Sequence, residues 1–199
     1  MAIAWPLSRD AGFIPDCNPF LDGCASISRA ARHGDANPVF KALMLPCAAL
    51  QGLHWWLAAR WLALHGSGAR AMRTLAVVAA TALAVYVFAL GSDGALYGWM
   101  RRYGITFYFA GSFLAMALFV RALLAHGAHR GFARTLAALC WAMLALGLAS
   151  VLAPLAAAGA QLDRAQNALE WQLGALFTAW FVAHAALWRA QRFPATRPA

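Results

Sequence analysis

One uninterrupted apolar segment decides the fold of this chain: residues 134–157, RTLAALCWAMLALGLASVLAPLAA. After Arg134 it contains no charged side chain, and most of its residues are Ala, Leu or Val. A helix of this length is about 36 Å long, whereas the hydrocarbon core of a bilayer is about 30 Å thick. The segment therefore predicts a helix that crosses a membrane.

Four further segments repeat this pattern, and short polar or glycine-containing stretches separate them, as expected between neighbouring antiparallel helices. No run of alternating residues resembles the strands of a membrane β-barrel. We expect five transmembrane helices, at residues 42–64, 74–92, 104–125, 134–157 and 169–188. The predicted fold is an all-α, polytopic membrane protein with an extracytoplasmic N-terminal segment (1–40), a five-helix transmembrane domain (41–190) and a cytoplasmic tail (191–199).

Composition supports a membrane protein and argues against a nucleic-acid-binding one. The chain is 63% hydrophobic and 12% charged, whereas soluble domains have about 25% charged residues. The net charge of +9 is high, but the basic residues lie between the apolar segments and form no continuous stripe. We expect membrane lipids as partners, and no nucleic acid.

Charge placement predicts the orientation. With the N-terminus outside, nine of the 16 basic residues lie inside, in agreement with the positive-inside rule. All seven acidic residues then lie outside, so any acid–base chemistry belongs to that face. We expect an inner-membrane protein of a bacterium, with its N-terminus outside and its C-terminus in the cytoplasm.

The polar stretch CNPFLDGCASISRAARHGDANPVF (17–40) precedes the first apolar segment. Asn-Pro and Asp-Gly pairs between Cys17 and Cys24 favour turns that bring the two thiols together. A disulfide is the preferred interpretation, because disulfides persist on the oxidising side of the membrane; free thiols are the alternative. The spacing is not CxxC and His33 is the only nearby imidazole, so no metal site is predicted.

The same stretch holds the residue types of a nucleophilic relay. Ser26 or Ser28 could be the nucleophile, His33 the base and Asp35 the orienting acid. Triads are normally assembled from distant parts of a chain, however, so helix capping and a solvated loop are the alternative.

Two other groups near the predicted outer face carry functional hypotheses. Glu170 is a candidate acid–base residue, because an ionisable side chain beside a transmembrane segment is often functional; capping, with Trp171 as an interfacial anchor, is the alternative. Arg101 and Arg102 lie among aromatic residues. We expect this pair to bind lipid phosphate or simply to anchor the loop at the headgroup level.

His54 and His184 are predicted to lie at a similar depth in the first and fifth helices. A hydrogen-bonded packing pair is the preferred interpretation, and a metal, proton-relay or haem-ligating pair is the alternative. No cofactor is predicted.

The motifs Ser26-Ile27-Ser28, Gly34, Pro38 and Phe40, together with Glu170-Trp171 at the last apolar segment, resemble the Frag1/DRAM/Sfk1 family of membrane proteins. The resemblance implies action on lipids or lipid-anchored molecules at the outer leaflet. It implies functional roles for Ser26, Ser28 and Glu170, and structural roles for Gly34 and Pro38.

The chain differs from that family in two ways: Ala25 replaces the usual proline, and the helix that usually precedes the loop is absent. A partner membrane subunit or a second copy would then complete the bundle. The expected function is lipid remodelling or sorting, with or without catalysis. The alternatives are a non-catalytic subunit or scaffold of a larger membrane complex and, third, a histidine-ligated haem protein.

Overall fold

The computed structural model describes residues 3–64, 69–127 and 129–190, so the predicted tail at 191–199 lies outside the described residues. Within these ranges the chain forms helices and no strand. The helices are α1 (Ala4–Asp10), α2 (Ile27–Ala30), α3 (Ala36–Leu64), α4 (Arg70–Ala89), α5 (Ala95–His126), α6 (Arg130–Ala156) and α7 (Gly159–Ala190).

Four of the described helices, α3 to α6, are long and apolar enough to cross a membrane. Much of their apolar surface faces outward: Val151 and Leu155 on α6 are 74% and 85% exposed. Such a surface is favourable in lipid and unfavourable in water. The chain is therefore an all-α membrane protein with four candidate spans. Helix α7 is as long as α5 but more polar over its first three turns.

All five long helices begin before the predicted spans, and the three that extend furthest do so toward the N-terminal segment. Helix α3 begins at residue 36 instead of 42, α5 at 95 instead of 104, and α7 at 159 instead of 169. A hydropathy criterion leaves these helix ends out of the predicted spans because they contain polar residues. Polar residues form helix readily, however, where the end of a helix lies outside the lipid.

The long helices pack mainly against their neighbours in sequence, and α4 and α5 share the most extensive contact. A Cβ atom at Gly104 of α5 would lie 2.9 Å from the Cβ of Tyr86, and one at Gly111 would lie 3.1 Å from the carbonyl oxygen of Leu75. Small residues allow such close backbone approach between membrane helices. These two glycines therefore set the spacing of α4 and α5.

The N-terminal segment folds back over one end of the bundle. The predicted disulfide between Cys17 and Cys24 is present, which confirms that interpretation. The side-chain amide of Asn37 donates to the carbonyl oxygens of Ala31, at 3.0 Å, and Leu90, at 3.2 Å. Asn37 thus connects the segment to the end of α4.

Candidate functional site

Glu170 and the Ser26–Ser28 motif meet at the end of the bundle covered by the N-terminal segment. The carboxylate of Glu170 accepts hydrogen bonds from the backbone N–H groups of Ile27 and Ser28, the first two residues of α2. The hydroxyl of Ser26 accepts from the backbone N–H of Arg29 at 3.1 Å. Helix N-termini have free N–H groups that need such acceptors. Both motifs therefore meet at one short helix, although they are far apart in the sequence.

Three side chains of α7 hold the N-terminal segment by its backbone. Asn167, Trp171 and Gln172 donate to the carbonyl oxygens of Gly23, Ala25 and Phe20, respectively, each at 2.9 Å. The Trp171 ring is 6% exposed and makes edge contacts with Trp5 at 5.3 Å and Phe20 at 5.5 Å. Trp171 is thus buried beneath the segment.

The predicted relay residues have separate partners. The hydroxyl of Ser28 lies 3.1 Å from that of Ser26. The ring of His33 packs on Phe13 with their centroids 5.6 Å apart, and Asp35 is exposed. No hydrogen bond joins Ser28, His33 and Asp35 to one another within residues 3–64. The structure places Ser28 beside Glu170. Because the described residues show none of the hydrogen bonds that a Ser–His–Asp relay needs, the relay stays a prediction.

The two predicted structural positions, Gly34 and Pro38, flank the start of α3. Gly34 has a φ of +55°, and a Cβ there would lie 2.6 Å from the Phe13 ring. A side chain at this position would therefore displace Phe13, which in turn contacts His33. Pro38 is exposed in the first turn of α3, where proline is tolerated because that N–H has no helical partner.

Arg101 binds backbone oxygens of this structure. Its Nη1 atom donates to the carbonyl oxygens of Ala89, at 3.2 Å, and Ser92. These bonds stabilise the C-terminal end of α4, where a positive charge is favoured. Arg102 is exposed next to it. Nearby, the exposed rings of Trp99 and Tyr103 stack at 5.2 Å. Phosphate binding by the two arginines stays a prediction.

Arg32 and Tyr86 also belong to this site, and the sequence did not single them out. Tyr86 is 4% exposed and interacts electrostatically with Glu170, Arg32 and Arg101. The Nε atom of Arg32 is buried without a hydrogen-bond partner among the described residues. No local pattern marks either residue, because only the fold brings the end of α4 beneath the N-terminal segment. We call Ser28, Arg32, Tyr86, Arg101 and Glu170 the polar cap.

His54, which is half-buried, and His184 form the predicted packing pair. Nδ1 of His184 lies 3.1 Å from Nε2 of His54, and His184 is fully buried. The rings that contact the pair are those of Trp55, Phe119, Trp180, Phe181 and Trp188.

Nδ1 of His184 and Nε2 of His54 face each other, so these two nitrogens could ligate one haem iron only if the rings moved apart. Haem ligation by the pair stays a prediction. Among the described residues, no three His, Cys, Asp or Glu side chains are grouped so that they could hold a metal ion.

No protein-family model, curated protein or solved structure matches this chain. The resemblance to the Frag1/DRAM/Sfk1 family therefore depends on the short motifs alone. The contact between those motifs, at Ser26–Ser28 and Glu170, is the structural observation from which a function can be proposed.

Proposed function

We propose that this protein binds lipids, or the lipid part of lipid-anchored molecules, at the outer leaflet through its polar cap. The observation that supports this proposal is that Glu170 and Arg32 lie half-buried at one end of an apolar bundle. The Nε–H group of Arg32 has no hydrogen-bond partner among the described residues. An amphipathic lipid places its polar group at this level while its chains lie along the helices.

The chemistry of the cap favours a phosphate-bearing headgroup. A guanidinium group presents donors that match phosphate oxygens, and the half-buried Arg32 places such a group at the cap. Arg101 adds a second positive charge near Tyr86, whereas Glu170 is the only carboxylate in the cap. The cap therefore has an excess of positive charge, which attracts an anionic group.

Glu170 has a second role in this proposal. Because its carboxylate already accepts the N–H groups at the start of α2, a headgroup hydroxyl that donates to it would be positioned relative to Ser28. His33, which packs on Phe13, and the exposed Asp35 have no assigned part in this proposal.

The proposed topology places the cap on the extracytoplasmic side of an inner membrane and makes α7 the fifth span. It is supported by the positive-inside rule, since nine of the 16 basic residues then lie on the cytoplasmic side. It is also supported by the packing of α7 along α6 and by the burial of His184, far from the cap.

The test is the lipid that copurifies with the full chain, identified and quantified by mass spectrometry. We expect bound phospholipid in the wild type and less in Arg32→Gln and Glu170→Gln. The matched control is Arg164→Gln, because Arg164 is exposed at the start of α7 and lies outside the cap. Glutamine at 170 keeps an oxygen for the N–H groups of α2, so the fold is expected to persist.

Equal lipid in all four proteins would contradict the proposal and favour a non-catalytic subunit or scaffold. That alternative is supported by the structural roles of two cap residues and their neighbour: Arg101, Glu170 and Ser26 all interact with backbone groups at helix ends. A lipid-free protein that copurifies with a second membrane subunit, or as a stable homo-oligomer, would be the positive evidence for it.

A further inference from the structure

The end of the bundle opposite the polar cap carries only positive charge among its described residues. We call it the basic end. Its described charged residues are Arg60, Arg70, Arg73, Arg121, Arg130, Arg134 and Arg189. No Asp or Glu lies there in residues 3–64, 69–127 or 129–190. A membrane surface with anionic lipids attracts such an arrangement.

Two grooves run along the bundle at this end and meet at one residue, Arg121. The first has a volume of about 400 Å³ and lies between α5 and α6, where Phe113, Ala117, Ala137 and Trp141 line it. The second has a volume of about 330 Å³ and is formed by α3, α4 and α5, with Leu62, Met72 and Leu118 in its wall. Both volumes are in the range of ligand pockets, about 300–1,000 Å³.

Arg121 is exposed, and the described residues give it no ion pair. It lies five residues before His126, the last residue of α5, which is about 7.5 Å along the helix axis. At that depth a long side chain reaches the level of lipid phosphates while its stem stays among apolar groups. The guanidinium group is thus positioned where a phosphate would be, between the two grooves.

We propose that Arg121 and the two grooves form a binding site for an anionic diacyl phospholipid of the leaflet at the basic end. The phosphate binds the Arg121 guanidinium group, and one acyl chain lies in each groove. Charge complementarity favours an anionic over a zwitterionic headgroup, because every described charged residue of the basic end is an arginine. The site is independent of the polar cap and of the function proposed for it.

The experiment measures lipid binding to the full, delipidated chain by native mass spectrometry, with phosphatidylglycerol and phosphatidylcholine as probes. We expect a preference for phosphatidylglycerol. Arg121→Gln should weaken its binding about fivefold, the effect of about 1 kcal/mol for one basic residue at a membrane surface. Arg121→Lys should retain most of the preference.

The matched control is Arg60→Gln. Arg60 is also exposed near the basic end of its helix, four residues before Leu64, but it lies over the Trp56 ring at 4.9 Å and lines neither groove. A loss of phosphatidylglycerol binding in Arg60→Gln equal to that in Arg121→Gln would overturn the site and leave only a diffuse attraction.

A groove-filling variant separates a lipid from a free phosphate. Ala117→Phe fills the first groove and leaves every charge in place, so it should weaken phosphatidylglycerol binding; Ala137→Phe fills the same groove from α6 if the first variant does not fold. Unchanged binding in a folded groove-filling variant would overturn the proposal. Competition by inorganic phosphate as strong as that by phosphatidylglycerol would overturn it as well.

Discussion

Gly23 is the position at which the attachment of the N-terminal segment can be tested most directly. Its φ is +57°, and a Cβ atom there would lie 1.8 Å from the carbonyl oxygen of Arg164 and 2.7 Å from the carbonyl carbon. Both atoms belong to the backbone of α7, so no side-chain rotation can relieve the overlap. In Gly23→Ala the segment has to move away from α7.

The interactions that hold the segment on α7 set the magnitude of this effect. Three hydrogen bonds from α7 to the segment contribute about 1 kcal/mol each. Ile27, which is 7% exposed, adds about 1.5–3 kcal/mol of apolar burial. We therefore expect Gly23→Ala to cost about 5 kcal/mol of docking free energy, enough to leave the segment detached in most molecules.

Gly159 provides the matched control. It has the same φ of +57°, but a Cβ atom there meets nothing within 4 Å. Gly159→Ala therefore carries only the cost of the left-handed backbone conformation, about 1–2 kcal/mol. The comparison isolates the steric overlap from the backbone preference.

Hydrogen exchange measured by mass spectrometry on the reconstituted protein is the assay. Peptides covering residues 13–30 should exchange much faster in Gly23→Ala than in the wild type, and Gly159→Ala should leave those peptides unchanged. If the two variants protect residues 13–30 equally, the inference that this glycine permits the docking on α7 is wrong.

Two further predictions concern the interior of the bundle, and unfolding in detergent–denaturant mixtures measures both. Gly104→Leu should lower the free energy of unfolding by about 1–3 kcal/mol, because it overpacks the contact between α4 and α5. The control is Gly98→Leu, which should have little effect because Gly98 has open space around it. Equal losses in the two variants would contradict the close-packing argument. His184→Phe should lower the free energy of unfolding by about 1 kcal/mol, since it keeps the side-chain volume and removes the hydrogen bond to His54. His184→Ala should lower it by about 2–5 kcal/mol because it leaves a cavity. Similar losses in both variants would refute the packing interpretation.

The sequence alone predicts the apolar helices and the disulfide, for physical reasons that are local. A run such as 134–157 has one low-energy arrangement in a bilayer, since its backbone must satisfy its own hydrogen bonds there. Turn-forming pairs between Cys17 and Cys24 constrain a short loop. Depth along a helix follows from the fixed rise per residue, which is why the contact between His54 and His184 could also be predicted.

The polar cap could be predicted only in part, because it depends on contacts between distant residues. Glu170 stood out as an ionisable residue beside an apolar run, but its hydrogen bonds to the start of α2 depend on how the N-terminal segment turns. Arg32 and Tyr86 have no sequence pattern at all. Hydropathy also underestimates the length of α7, since the polar residues near its start bind the backbone of the N-terminal segment.

The attachment of both ends of α7 has a consequence for the order of events during biosynthesis. One end of this helix binds the N-terminal segment through Trp171, and the other contacts α3 through His184. The N-terminal segment is synthesised before α7 and can dock only after α7 has been made, so its loop stays accessible to proteases during that interval. A chain that stopped before α7 would leave this segment undocked.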